Sequence, residues 1–230
     1  MKTLFLFFFG ISTAATLLAQ DKVNQFDENG KRHGVWEKYY DGTKQLRYTG
    51  QFNHGKEVGT FTFYCEKCKD QPSVTKEFSK NDNIALVTFY NNKGKVVSKG
   101  KMDGKKRVGE WLTYHKNSDI VMMRENYVDD VLNGKKTTYF PNKQITEVIT
   151  YNKGIKNGEN LVYSEEGILL KRLNYAEDKL HGPAEYFEGY GNISIKGQYK
   201  QGKKDGLWRY YKNGKVEFEE TYPIPVKKKQ

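Results

Sequence analysis

The residues able to do chemistry are few in this chain. Cys65 and Cys68, its only two cysteines, stand in YCEKCKD. A C-x-x-C pair serves thiol exchange when strands alternate with helices, and no such alternation is present. It can also form half of a zinc site, but a structural zinc takes four ligands and the chain has no second pair. A local disulfide that pins the loop is the better reading, closing too small a ring to add much stability. The four histidines are His33, His54, His115 and His181. His33 and His181 precede a recurrent glycine where other copies of a repeat carry Val58, Asn133, Asn157 and Asp205, so they read as turn residues. The adjacent acids Glu165-Glu166, Asp129-Asp130 and Glu219-Glu220 point in different directions on a strand or turn and make no acid/base couple. Metalloprotease, nucleophile-elbow and phosphate-loop motifs are absent. We expect no catalytic residue, no cofactor and no metal, and therefore no enzyme.

The elements that carry these residues repeat. Glycine or alanine recurs as a central position at Gly34, Gly59, Ala85, Gly109, Gly134, Gly158, Gly182 and Gly206, at intervals of 24 to 26 residues. Five residues after each centre lies an aromatic: Tyr39, Tyr64, Tyr90, Tyr114, Tyr139, Tyr163, Phe187 and Tyr211. Seven before it lie Phe52, Phe78, Met102, Tyr127, Tyr151, Tyr175 and Tyr199 from the second copy on. A fixed period of this size signals a repeat architecture, with the first column as its repeat-core aromatics. Before each centre the residues alternate in character, as in Leu46, Tyr48, Gly50 and Phe52, and period two means strand. Glycines four residues apart, such as Gly202 and Gly206, supply the positive φ of tight hairpins. Each copy reads as a β-hairpin that cannot bury its rings alone, which explains the repetition. The predicted fold is all-β: an elongated single-layer antiparallel sheet of about eight tandem hairpins.

The copies differ two residues after the centre, where Trp36, Phe61, Val87, Trp111, Lys136, Asn160, Ala184 and Trp208 stand. Either the tryptophans pack a thicker part of the sheet, or Lys136, Asn160 and Ala184 line an open polar groove for a ligand. Copy three, with Asn81 and Ala85 for its glycines, predicts a local irregularity.

Residues 1–19 combine Lys2, an apolar run and small residues ending at Ala19, the pattern of a secretory signal peptide. The run is short of the roughly twenty residues of a spanning helix, and no second hydrophobic segment follows. We divide the chain into a signal peptide (1–19), a repeat array (20–222) and a basic tail (223–230), and expect a periplasmic or secreted mature protein. Mean hydropathy is low at −0.84, but 17 Tyr and 13 Phe in register oppose disorder. The net charge of +11 comes mostly from turn lysines. It reads first as a solubilising surface and second as attraction to an anionic one. The scarcity of arginine argues against nucleic acid.

YTGQFNHGKEVG, residues 48–59, and KKDGLWRYYKNG, residues 203–214, resemble the MORN repeat, and the Trp or Phe two after the centre resembles its bacterial MORN-variant class. The resemblance covers about residues 26–222. It implies a twisted single-layer sheet and says little about activity. Members often carry an antitoxin-like label, which sits poorly with a signal peptide. The expected function is a non-catalytic interaction or scaffold module with a protein partner. The alternative is an electrostatic binder of anionic membrane lipid or acidic polysaccharide, ahead of an antitoxin-like neutralising partner.

Overall fold

The structure is a computed structural model and describes residues 22–68, 70–79 and 83–224. The predicted signal peptide and residues 225–230 of the tail lie outside the described residues. Among those described, the chain is one elongated, open antiparallel sheet in a single layer. Its strands are β1 (Gln25–Phe26), β2 (Arg32–Tyr39), β3 (Leu46–Asn53), β4 (Lys56–Tyr64), β5 (Pro72–Phe78), β6 (Ile84–Tyr90) and β7 (Val96–Asp103). There follow β8 (Lys106–Tyr114), β9 (Val121–Val128), β10 (Val131–Leu132), β11 (Gly134–Tyr139), β12 (Ile145–Asn152) and β13 (Ile155–Tyr163). The last are β14 (Leu169–Ala176), β15 (Lys179–Leu180), β16 (Gly182–Phe187), β17 (Ile193–Lys200), β18 (Lys203–Lys212) and β19 (Lys215–Tyr222). Each strand pairs with its neighbour in sequence, except that β10 and β11 both pair with β9, and β15 and β16 both pair with β14.

Two register defects recur, and the repeat residues cause them. At the centre, the later strand of the hairpin carries two extra residues in copies two and four to eight. Thr49 faces Thr62, yet two residues on Gln51 faces Val58. Gly59, at φ 65°, makes this slip, because the left-handed region costs glycine nothing. Copy three has Ala85 there, and its ladder runs without a slip from Val74–Phe89 to Phe78–Ala85. The irregularity predicted for copy three centres on its turn, and residues 80–82 there lie outside the described residues; its strands run without the slip because Ala85 does not take the conformation that opens it.

The second defect is a one-residue shift at Tyr39, Tyr64, Tyr90, Tyr114, Tyr139, Tyr163, Phe187 and Tyr211. The column expected to be the repeat core is therefore a column of bulges, half-buried except for the exposed Tyr39. Bulges raise local twist, and one such shift recurs in every copy. Hairpin tips are stitched to the preceding copy. Gly55, Asp130, Gly154, Asp178 and Gly202 donate their backbone N–H groups to the carbonyls of Arg32, Arg107, Leu132, Lys156 and Leu180 at 2.7–3.1 Å.

The buried residues gather on one face. Cross-strand pairing and side-chain contact set Trp36, Gly50, Phe61, Lys76, Val87, Gly100 and Trp111 in a single row, Gly50 meeting Phe61 by contact and the others by register. The row continues through Glu125, Lys136, Ile149, Asn160, Leu173, Ala184, Gly197, Trp208 and Glu220, with Glu125–Lys136, Leu173–Ala184 and Gly197–Trp208 joined by side-chain contact. Directly opposed side chains share a face and touch, so this row is the spine of the core. Two apolar clusters sit along it, one of Ala85, Val87, Trp111 and Tyr127, the other of Leu173, Ala184 and Trp208.

Candidate interaction face

The spine is complementary within the hairpins of copies two and four to eight, while in copy three Val87 faces Lys76. A β-carbon on Gly50, Gly100 or Gly197 would overlap the ring of Phe61, Trp111 or Trp208, so each ring lies flat on bare backbone. Where the later residue is small, the earlier one is large: Leu173 fills the space beside Ala184. Where it is charged, the earlier one carries the opposite charge: Lys136 pairs with Glu125 at 3.5 Å. Asn160 faces Ile149 and donates its amide to Glu147 (2.8 Å) and to the Val148 carbonyl (3.2 Å). Asn160 and Ala184 are 3% and 0% exposed. The open groove envisaged over Lys136, Asn160 and Ala184 is thus filled from the facing strand.

Beside each spine tryptophan, the residue two before the centre is a cation. The Arg32 guanidinium lies 4.8 Å from the Trp36 ring and 5.2 Å from Phe52. Arg107 lies 3.8 Å from Tyr127. The Lys204 ammonium lies 4.5 Å from Trp208 and 4.8 Å from Tyr222, and donates to the Tyr210 hydroxyl at 2.8 Å. Such contacts strengthen as water is excluded. The hydrogen bond to Tyr210 holds the Lys204 pKa above its ordinary value against the opposing effect of burial. The indoles of Trp111 and Trp208 donate to the Lys101 and Gln198 carbonyls at 3.0 and 3.1 Å, satisfying backbone at the register slips.

One part of this face is open. A groove of 350 Å³ runs over β6 to β9, floored by Phe89, Met102 and Trp111 and rimmed by Lys105, Arg107, Glu125 and Asp130. Arg107 is bonded to Asp130, and that bond holds the Asp130 carboxyl below its usual range. Burial pushes the Tyr127 phenol up, with Glu125 adding to it; the phenol donates to Glu125 at 3.0 Å. Three of the four rim charges are therefore held by partners, Arg107 by Asp130 and Glu125 by Lys136, while Lys105 has no carboxylate partner among the described residues.

Other candidate residues lie apart from this groove. Cys65 and Cys68 form a disulfide in the loop after β4, with Cα atoms 5.1 Å apart. His33 and His54 meet at 4.7 Å between ring centres, tilted by 49°, in neighbouring tips, and His54 Nδ1 lies 2.6 Å from Asp27. His115 reaches the Tyr139 carbonyl at 3.1 Å. Asp129 turns to Lys106, whereas Glu219 turns to Arg209 and Glu220 accepts from Tyr210 and Tyr222. Among the described residues no three His, Cys, Asp or Glu side chains gather into a possible metal site, and no helix is long and apolar enough to cross a membrane. Val128, Val131 and Ile155, exposed on the tips of copies five and six, escaped the sequence reading; lysine at the equivalent positions 31, 56, 106, 179 and 203 was the available contrast. No family model matches the chain, and no curated protein matches it.

Proposed function

We propose that the chain is a repeat protein of the MORN-variant kind, exported under the direction of residues 1–19, that acts as a non-catalytic interaction module for a protein partner. The observation that carries this reading is the groove over β6 to β9. An apolar floor of Phe89, Met102 and Trp111 beneath a charged rim offers contact area and orientation, the inventory of a recognition site. The partner's apolar side chains take the floor, and its polar groups meet Arg107 and Asp130 at the rim.

The test is retention of envelope proteins on the immobilised chain, without residues 1–19, through washes in 1 M salt, beside the Arg107→Glu variant. A partner retained at high salt, and reduced at least tenfold by that variant with circular dichroism unchanged, is the expected outcome. Attachment only to anionic liposomes, lost at physiological salt as exposed charges are screened over about 8–10 Å, sinks the reading.

A further inference from the structure

The larger hollow lies elsewhere, at the opposite end of the hairpins, between the turns that follow β6 and β8. It measures 580 Å³, within the range of small-molecule sites. We propose that this hollow binds an acidic saccharide, a sugar unit bearing a carboxylate. It adjoins the groove over β6 to β9 at Thr113, which lines both, but its floor and rim use other side chains than that groove's.

Two turns form its walls, and a side-chain bond fixes their spacing. The Asn91 amide donates to Asn117 Oδ1 at 3.0 Å, while Asn91 Oδ1 accepts the backbone N–H groups of Lys93 and Lys95 at 2.9 and 3.1 Å. The walls are therefore set before any ligand arrives. The floor is Val97, Tyr114 and Met122, and Val97 is left 42% exposed.

The charged groups at the rim favour an anion. Lys93 and Lys116 have no carboxylate partner among the described residues, and no Asp or Glu lines the hollow. Asp119, in the same turn as Asn117, is engaged by Lys95 at 3.5 Å. In copies one, two, six and seven the first three turn positions include an acid (Asp41, Glu66, Glu165, Glu166 and Glu188), whereas these two turns read Asn91-Asn92-Lys93 and His115-Lys116-Asn117. Copies five and eight, with Phe140-Pro141-Asn142 and Lys212-Asn213-Gly214, lack an acid there too, but copies three and four are the neighbouring pair whose turns each carry a lysine and no acid.

Sugar chemistry accounts for all three kinds of group. A ring's C–H face takes the Val97, Tyr114 and Met122 surface, since an aromatic plane with a polar tip suits an amphipathic ligand. Hydroxyls need both donors and acceptors, which the Asn92 amide supplies, with further donors from the Asn117 amide nitrogen. The two ammonium groups focus a positive field on a carboxylate. A fatty acid needs the floor and the lysines but leaves the amides without a role.

Calorimetric titration of the chain with digalacturonic acid, the neutral disaccharide galactobiose and decanoate tests the assignment. Digalacturonic acid is expected to bind, with galactobiose at least tenfold weaker. Lys93→Gln with Lys116→Gln, and separately Val97→Glu, are expected to weaken it at least tenfold. Lys44→Gln with Lys143→Gln, which removes the same charge from turns of copies one and five, is expected to stay within twofold. Equal losses in both lysine pairs reduce the effect to net charge and overturn the site. Decanoate binding as tightly as digalacturonic acid overturns the sugar class, and absence of digalacturonic acid binding overturns the proposal outright.

Discussion

If the spine is held by size matching across each hairpin, transplanting one matched pair onto another must restore stability that either single change removes. Gly197 and Trp208 are the pair to exchange, because Leu173 and Ala184 occupy the equivalent positions one copy earlier. Trp208 is 1% exposed, so Trp208→Ala opens a cavity at a cost of about 3–5 kcal/mol. Gly197→Leu drives a side chain into the indole, where even a β-carbon has no room, and overpacking costs about 1–3 kcal/mol. Independent effects sum to about 4–8 kcal/mol. The double variant recreates the Leu–Ala arrangement, and contacting residues couple by about 0.5–3 kcal/mol. It is therefore expected to recover about 2–3 kcal/mol and to be no less stable than Trp208→Ala alone. Urea unfolding followed by far-ultraviolet circular dichroism measures the total. Hydrogen exchange in β17 and β18 localises it, since repeat arrays open unit by unit. A double variant that loses the full sum refutes size matching as the rule of the spine.

Two further outcomes follow from the turns. Asp27 is held below its ordinary pKa chiefly by the Lys31 backbone N–H, then by His54, so its contribution is present above the unfolded-state value and lost as pH falls through the folded one; exchange protection of β1 and β2 is expected to drop in acid below about pH 4 and to become pH-independent there in Asp27→Asn. Reduction of Cys65–Cys68, three residues apart, is expected to lower stability by under about 2 kcal/mol, since so short a loop constrains the unfolded chain little; a larger loss in reductant-containing urea titrations counts against that account.

The period, the strand alternation and the hairpin order were legible because glycine and aromatic residues recur at fixed offsets. What the offsets did not disclose is register. Lys136, Asn160 and Ala184 looked like openings in a column of rings because the facing residues, Glu125, Ile149 and Leu173, are identified only once the two-residue slip at each centre is counted. A signal was nevertheless present. Gly50, Gly100 and Gly197 occur nine residues before the centre only in copies that carry Phe or Trp two after it. The aromatics five after the centre misled for a related reason: a residue constant in type can be constant for a bend rather than for burial. At copy three, Ala85 signalled a lost bulge instead of a lost ladder.

The direction of the spine contacts bears on how such a chain can change length. Each ring or aliphatic side chain leans on the strand before it, inside its own hairpin: Phe61 on Gly50, Trp111 on Gly100, Trp208 on Gly197. Across the following turn Phe61, Trp111 and Trp208 are opposed by the charged Lys76, Glu125 and Glu220. A duplication or deletion cut at those turns carries every matched pair along whole, whereas a cut at a hairpin tip separates a ring from its glycine. Copy number is free to drift in steps of one hairpin, with its ends in the turns that follow the bulged aromatics.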